Sequence, residues 1–188
     1  MFVDEARLSV GLCGASRPGH FRGVLTVVAK LLNLCTPDVA VFGRKDAQQA
    51  RLVLQMVRDL DFPVEIVLGD IVREEDGLAM SSRNRYLDEG ERAAATVLYR
   101  ALCVAQGRYV DGERVGEALR AAIVATLDEE PLVEAEYVEV VHPESLEPLA
   151  EIGGEVLVAV AARVGSTRLI DNVVLGGPAD LMLQGPRH

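Results

Sequence analysis

Apolar residues in the first third of the chain recur with two different spacings. Between Val24 and Leu32, and again between Leu52 and Leu60, they fall three and four residues apart, which predicts two amphipathic helices, the first ending near Asn33. The runs 39–42 and 62–68 are short and mostly apolar, which predicts two strands, the first of them buried. The order helix, strand, helix, strand predicts an α/β fold with a parallel sheet.

The pattern changes at about residue 71. One helix is predicted from about residue 88 to residue 106, broken at Gly107, and another from about residue 112 to residue 127. An alternating stretch follows at 137–141, and the runs 156–163 and 168–174 flank a Gly-Ser turn, which predicts an antiparallel hairpin. We therefore predict an incomplete doubly wound domain at residues 1–71 and a smaller α+β domain at residues 72–188.

Composition and charge narrow the classes of protein. With 188 residues of which 49% are hydrophobic, the chain can bury a sizeable core, and its net charge of −10 argues against a nucleic-acid partner or an anionic membrane surface. Neither the three cysteines nor the three histidines have metal-site or disulfide-framework spacing. That spacing predicts no metal site. The first residues lack the basic segment followed by an apolar one that is typical of a signal peptide, so we predict a cytoplasmic protein.

Polar residues that favour phosphate are concentrated at 77–87. The hydroxyls of Ser81 and Ser82 can donate to phosphate oxygens, and the guanidinium of Arg83 offers a bidentate fork. Ser and Asn are also ordinary loop and helix-capping residues, so the same stretch has a purely structural interpretation.

The segment 42–49 joins the end of a predicted strand to the start of a helix, where ligands of open α/β sheets bind. Lys45 could neutralise a phosphate, Asp46 could accept from a ribose or adenine group, and the Gln49 amide could hold a second ligand. Asp46 and Gln49 also have the spacing of a capping box, as do Asp88 and Glu91.

The remaining polar candidates have two interpretations each. The Gly-rich stretch 11–23 is predicted to be a loop, in which His20 is either an anion contact beside Arg17 or a solvated side chain. His142 and His188 are interpreted as a strand-end residue and a tail residue. The pair 171–172 is interpreted as structural, with a cleft-facing role as the alternative.

Four segments in order, 11–21, 42–49, 77–87 and 167–172, closely resemble the pantothenate synthetase (pantoate–beta-alanine ligase) family of the nucleotidylyltransferase superfamily. The resemblance implies that residues 1–71 are an incomplete Rossmann-like nucleotide-binding domain and that residues 72–188 are a lid domain. It also implies a homodimer in which ATP, with Mg²⁺, activates pantoate as pantoyl adenylate, and the amine of beta-alanine then displaces AMP.

The resemblance also assigns roles by motif. Gln49 would hold pantoate, and Lys45, Ser81, Ser82 and Arg83 would be catalytic. The residues implied to bind ATP are Gly43, Arg44, Lys45, Asp46, Val72, Met80, Ser81, Ser82 and Arg83. Arg17 and His20 would lie near the site without a defined role.

Family members begin with a strand and a Met-Gly-x-Leu-His-x-Gly-His motif, which this sequence lacks. We therefore expect the chain to correspond to the C-terminal portion of the enzyme and to expose an apolar edge of its parallel sheet. Two alternatives remain open. One is a non-catalytic, truncated or dimerising module of the same fold, and the other is an adenylyl transferase that acts on a different acid.

Overall fold

A computed structural model describes residues 1–177, within which there are six α-helices and five strands. The helices are α1 (Cys13–Ser16), α2 (His20–Cys35), α3 (Ala47–Asp59), α4 (Glu89–Ala94), α5 (Val97–Val110) and α6 (Gly116–Leu127). The strands are β1 (Val39–Gly43), β2 (Glu65–Gly69), β3 (Val133–Val141), β4 (Val156–Val164) and β5 (Thr167–Leu175). The chain divides into two compact units, Met1–Asp70 and Ile71–His188, of which the second is the longer in this chain.

The first unit carries the parallel sheet. Strands β1 and β2 pair in parallel, from Val39 opposite Glu65 to Gly43 opposite Gly69. The predicted helices are confirmed as α2 and α3, whose apolar residues Leu25, Leu52 and Val53 are almost fully buried. The fold class is therefore α/β, as predicted.

Two expectations for the first unit were wrong. The stretch 11–23 is not one loop, because it contains α1 and because α2 already begins at His20. Strand β1 is not buried: its residues alternate between exposed and half-buried, and Val41 is 69% exposed. Successive side chains of a strand point to opposite faces of the sheet, and the face that carries Val39 and Val41 is exposed whereas the other face is half-buried. Val39 and Val41 thus expose apolar surface on one face of the sheet, while the expected apolar edge stays a prediction.

Of the two predicted capping boxes, the one at Asp88 is confirmed and the one at Asp46 is wrong. At the start of α4, the Glu91 N–H donates to Asp88 Oδ1 (2.8 Å) and the Asp88 N–H donates to Glu91 Oε2 (3.1 Å), so this box is confirmed. At the start of α3, Asp46 makes no side-chain capping bond. A 3₁₀ turn at Arg44–Asp46 precedes α3 and leaves Asp46 at φ −93°, ψ 62°, outside the extended conformation in which capping side chains reach the helix.

This contrast predicts different costs for two matched substitutions. We expect Asp88→Ala to lower the free energy of unfolding by about 0.5–2 kcal/mol, the usual value of a capping aspartate. We expect Asp46→Ala to change it by less than about 0.5 kcal/mol, as for a surface residue. Chemical denaturation of both variants measures the difference, and equal losses would contradict the assignment of the caps.

The second unit contains the larger core. Strands β3, β4 and β5 form an antiparallel sheet in that order, with the predicted hairpin between β4 and β5 confirmed. Helices α5 and α6 pack together, and α6 lies against β3. Fully buried side chains at the centre of this core include Leu98, Leu102, Leu119, Ile123 and Val158.

The predicted break at Gly107 was wrong. Helix α5 runs through Gly107 and ends at Val110, and a separate short helix, α4, precedes it. A glycine inside a helix costs only about 1 kcal/mol relative to alanine, and burial of Leu98 and Leu102 on the same helix outweighs that cost. Within residues 1–177, no helix is both long enough and apolar enough to cross a membrane.

Candidate functional site

Five of the predicted site residues lie within seven positions at the end of β1 and the start of α3. Gly43 is the last residue of β1, the turn Arg44–Asp46 comes next, and Gln49 lies in the first turn of α3. Gly43 and Asp46 are exposed, whereas Lys45 and Gln49 are half-buried. The fold of the first unit therefore keeps these residues together at the carboxyl end of a parallel strand, where ligands of such sheets bind.

An ion pair ties this segment to the neighbouring strand. Arg44 Nε lies 3.2 Å from Oδ1 of Asp70, the residue that follows β2. The two groups have opposite charges. Because both side chains are partly exposed to solvent, the ion pair stabilises the fold only weakly. The Asp46 carboxylate is exposed and is not used to cap α3, so it is available to a ligand.

Gln48 is a buried polar residue that the sequence interpretation missed. Its Nε2 donates to the carbonyl oxygens of Leu8 (2.7 Å) and Gly11 (2.8 Å), and the residue is only 5% exposed. These bonds attach the segment before α1 to the start of α3. A signal was available, because Gln48 lies four residues before buried Leu52 and so shares its face of the helix.

The histidines are also placed by the structure. His20 is the half-buried first residue of α2, and its Nε2 lies 3.1 Å from Arg17 Nη1, so the solvated-loop interpretation was wrong. His142 follows β3, and its Nδ1 accepts from the N–H groups of Glu144 (3.2 Å) and Ser145 (3.3 Å), as expected for a strand-end residue. His188 lies outside the described residues.

In the second unit, residues 72–80 form a tight hairpin. Arg73 pairs with Ala79, the Met80 N–H donates to the Val72 carbonyl (2.9 Å), and the Glu74 N–H donates to the Leu78 carbonyl (2.9 Å). Val72 and Met80 are therefore adjacent, and they are 64% and 54% exposed. Two predicted site residues that are eight positions apart are brought together by this hairpin.

The residues after Met80 have the local contacts of the structural interpretation. Ser81 Oγ accepts from the Arg83 N–H (3.2 Å) and so caps a 3₁₀ turn at Ser82–Tyr86. Asn84 Nδ2 donates to Glu74 Oε1 (2.8 Å) and to the Ala79 carbonyl (3.2 Å). This cap uses the Ser81 oxygen as an acceptor, so the hydroxyl hydrogen can still donate to a ligand. Ser82 and Arg83 are exposed, and a ligand role is therefore compatible with the cap.

Acidic residues of the hairpin bind one arginine of α4. Arg92 Nη2 lies 2.9 Å from Glu74 Oε2, and Arg92 Nη1 lies 2.7 Å from Asp76 Oδ2. The bond from Asn84, followed by that from Arg92, lowers the pKa of Glu74, and the bond from Arg92 lowers the pKa of Asp76. Both carboxylates are therefore ionised at neutral pH and hold the hairpin against α4.

The chain is similar in sequence to known proteins of one family. A model of the family described as pantoate-beta-alanine ligase matches residues 1–174. Pantothenate synthetase of Roseiflexus castenholzii is 53% identical over 174 residues, which is 93% of this chain and 63% of the relative. That of Thermoanaerobacter sp. is 51% identical, with 93% and 62% covered. The chain thus spans a little under two thirds of the length of these relatives.

Solved structures agree with the sequence matches. The crystal structure of pantothenate synthetase from Thermus thermophilus superposes with a TM-score of 0.89 at 46% identity, covering 92% of this chain and 63% of that one. Pantoate-beta-alanine ligase from Francisella tularensis, solved in complex with beta-gamma ATP and beta-alanine, superposes with a TM-score of 0.69 at 28% identity, covering 93% and 58%. The chain belongs to the pantoate-beta-alanine ligase family.

Proposed function

We propose that this chain provides the phosphate-binding and pantoate-binding residues for the ATP-dependent condensation of pantoate with beta-alanine, giving pantothenate, AMP and pyrophosphate. The observation that carries the proposal is the exposure of Ser82 and Arg83 on a backbone that several hydrogen bonds hold in place. Family membership supports the same reaction, as does the ligand composition of the Francisella tularensis structure.

In this proposal, residues 80–83 bind the triphosphate. The Arg83 guanidinium and the hydroxyls of Ser81 and Ser82 donate to phosphate oxygens, with Met80 beside them and with Val72 next to the adenine or ribose. Such donors stabilise a transition state that gathers negative charge on phosphate oxygens. Because hydrogen bonds already order this backbone, ATP binding would cost little further conformational entropy.

Residues 43–49 are proposed to take part in binding ATP and pantoate. Lys45 places a positive charge near the phosphates, Gly43 and Arg44 contact ATP through the turn, and Asp46 accepts from the nucleoside. The Gln49 amide donates to pantoate. Two observations support these roles: the exposed Asp46 carboxylate does not cap α3, and Gln49 is half-buried in the first turn of that helix.

The chemistry consists of two substitutions. A carboxylate oxygen of pantoate attacks the α-phosphorus, the bond to the β-phosphate oxygen breaks, and pyrophosphate leaves. The amine of beta-alanine then attacks the acyl carbon and loses a proton as AMP departs. This chain's residues act by positioning and by electrostatic stabilisation.

Mg²⁺ would accompany ATP and screen its phosphate charges. Protein-bound Mg²⁺ is commonly held by one or two carboxylates together with substrate phosphates. Asp46, which is exposed and beside Lys45, fits such a limited contribution. Among the described residues, no group of three or more His, Cys, Asp or Glu side chains could form a dedicated metal site.

Reconstitution tests the proposal. Pantothenate and AMP formation would be measured for the chain alone and for the chain fused to the N-terminal third of the Thermus thermophilus enzyme. ATP binding to both proteins would be measured by calorimetry with Mg²⁺ present. We expect the fusion protein to be active and to bind ATP. A folded fusion protein that neither binds ATP nor forms pantothenate would overturn the assignment.

A second function, a dimerising module without catalytic activity, is favoured by one observation. Apolar side chains of α2 and β1 are exposed in the described structure: Val27 52%, Leu31 52%, Leu34 71%, Val39 49% and Val41 69%. Exposed apolar side chains that form a contiguous patch commonly mark an interaction site, and Val27, Leu31 and Leu34 share one face of α2. Sedimentation that shows a stable dimer, together with no heat on adding ATP and Mg²⁺, would favour this function over the ligase.

The identity of the acid and the compartment are separate proposals. We propose pantoate as the acid and the cytoplasm as the location, with a homodimer as the assembly and with no nucleic-acid or membrane partner. Acid-dependent exchange of pyrophosphate into ATP by the fusion protein distinguishes pantoate from other acids. Exchange that is faster with a different hydroxy acid would indicate an adenylyl transferase of another specificity.

A further inference from the structure

Arg73 has an unusually complete set of contacts in the second unit. Its Nη1 lies 2.6 Å from Asp171 Oδ2, its Nη2 lies 3.0 Å from Asp171 Oδ1, and Nη1 also donates to the Gly77 carbonyl at 3.0 Å. The guanidinium lies over the ring of Tyr99, 4.8 Å from its centroid. The side chains of Arg73 and Asp171 are only 15% and 2% exposed. Arg73 is therefore held in one orientation.

These contacts join the hairpin 72–80 to the sheet. Asp171 lies within β5, where it is paired with Val160 of β4, so its carboxylate is attached to the core of the unit. Arg73 lies at the opening of the hairpin, paired with Ala79, and it binds the Gly77 carbonyl in the turn. The first strand of the hairpin and the turn that precedes Met80 are thus attached, through one guanidinium, to a single buried carboxylate.

Stability alone does not account for this pair. Removing two charges from water costs several kcal/mol, so buried ion pairs are often no more stabilising than apolar residues of similar size. A bidentate pair does impose direction, because the planar fork matches a carboxylate in few orientations. The pair is thus better suited to defining a conformation than to adding stability.

We propose that Arg73 and Asp171 are positioning residues, which set the conformation of the hairpin 72–80 and thereby the placement of Met80, Ser81, Ser82 and Arg83. This inference rests on the proposed function only in its claim that residues 80–83 bind ATP phosphates. The hairpin order itself is measurable without ATP.

The test uses Asp171→Asn, which keeps the shape of the side chain, and Arg73→Met combined with Asp171→Leu, which replaces the pair by apolar residues. A matched control is Glu136→Gln, which removes the carboxylate of a second partly buried pair, between Glu136 on β3 and Arg168 on β5 (Arg168 Nη2 to Glu136 Oε1, 2.8 Å). Thermal unfolding, amide hydrogen exchange and ATP affinity by calorimetry are measured for each.

We expect Asp171→Asn to lower the melting temperature and the double variant to restore it, as apolar replacements of buried pairs do. In both, the Met80 amide, which donates to the Val72 carbonyl, should exchange faster, and ATP affinity should fall about 10- to 100-fold. In Glu136→Gln, the exchange of Met80 and the ATP affinity should be unchanged.

A double variant that regains the melting temperature, the Met80 protection and the ATP affinity together would overturn the positioning role, because the pair would then be only structural. Absence of ATP binding by both the wild-type chain and its folded fusion protein would instead contradict the proposed function. In that event, hydrogen exchange of the Met80 amide alone tests whether the pair orders the hairpin. An unchanged exchange rate in both variants would reject the inference.

Discussion

Replacing Arg83 by Ala is expected to weaken ATP binding, or to lower kcat/KM of the reconstituted enzyme, by about 10- to 150-fold. This range corresponds to the roughly 1.5–3 kcal/mol of a hydrogen bond to a charged group. Arg83 is exposed on the 3₁₀ turn at Ser82–Tyr86, so its removal leaves no buried partner and should not unfold the protein. Calorimetry with ATP and Mg²⁺ and steady-state kinetics measure the loss.

The matched control is Arg85→Ala in the same turn. Arg85 is also exposed, and its Nη2 donates to the Tyr86 hydroxyl at 2.8 Å while its guanidinium lies 4.9 Å from the centre of that ring. This substitution removes the same charge from the same turn, and we expect it to change ATP affinity by no more than about twofold, as for a surface residue. Equal losses in the two variants would indicate a general charge effect and would remove Arg83 from the proposed site.

Replacing Gly77 by Ala is expected to cause the largest loss of stability, about 2–5 kcal/mol, from backbone strain together with overpacking. Gly77 has φ +88°, which side-chain-bearing residues rarely adopt, and an added Cβ would lie 2.1 Å from Tyr99 Cδ1. Tyr99 is only 7% exposed and its ring lies against Arg73, so it has little room to move. Chemical denaturation measures the loss in the free energy of unfolding.

Gly107→Ala is the control for this prediction. Gly107 lies within α5, and nothing lies within 4 Å of the position that its Cβ would occupy. Alanine is favoured over glycine inside a helix by roughly 0.5–1 kcal/mol, so this variant should be slightly more stable than the wild type. If Gly77→Ala behaved like Gly107→Ala, the described conformation of the hairpin turn would be wrong.

The site could be predicted from the sequence only in pieces. Residues 43–49 and 80–83 were identified because each set is continuous in the chain and has donors suited to phosphate. The adjacency of Val72 and Met80 required the hairpin between them. Whether these residues bind ATP and pantoate stays a prediction that the proposed experiments address.

The polar residues that support the hairpin could not be predicted. The pair 171–172 was interpreted as structural because it lies in a predicted strand, but Arg73 is 98 positions away and the sequence does not indicate that it is the partner of Asp171. Gln48 is the opposite case, since its spacing from Leu52 placed it on a buried face. Its actual partners, the carbonyls of Leu8 and Gly11, depend on the path of a distant segment.

The sequence by itself determined helices α2, α3 and α6, the two parallel strands, the β4–β5 hairpin and the Asp88 capping box, because periodic burial and capping depend on residues a few positions apart. Tertiary structure decided that Asp46 does not cap α3, since a 3₁₀ turn sets its backbone angles. It also decided that β1 is largely exposed and that Arg73 meets Asp171. Such features depend on which distant segments lie side by side, and local spacing carries no information about that arrangement.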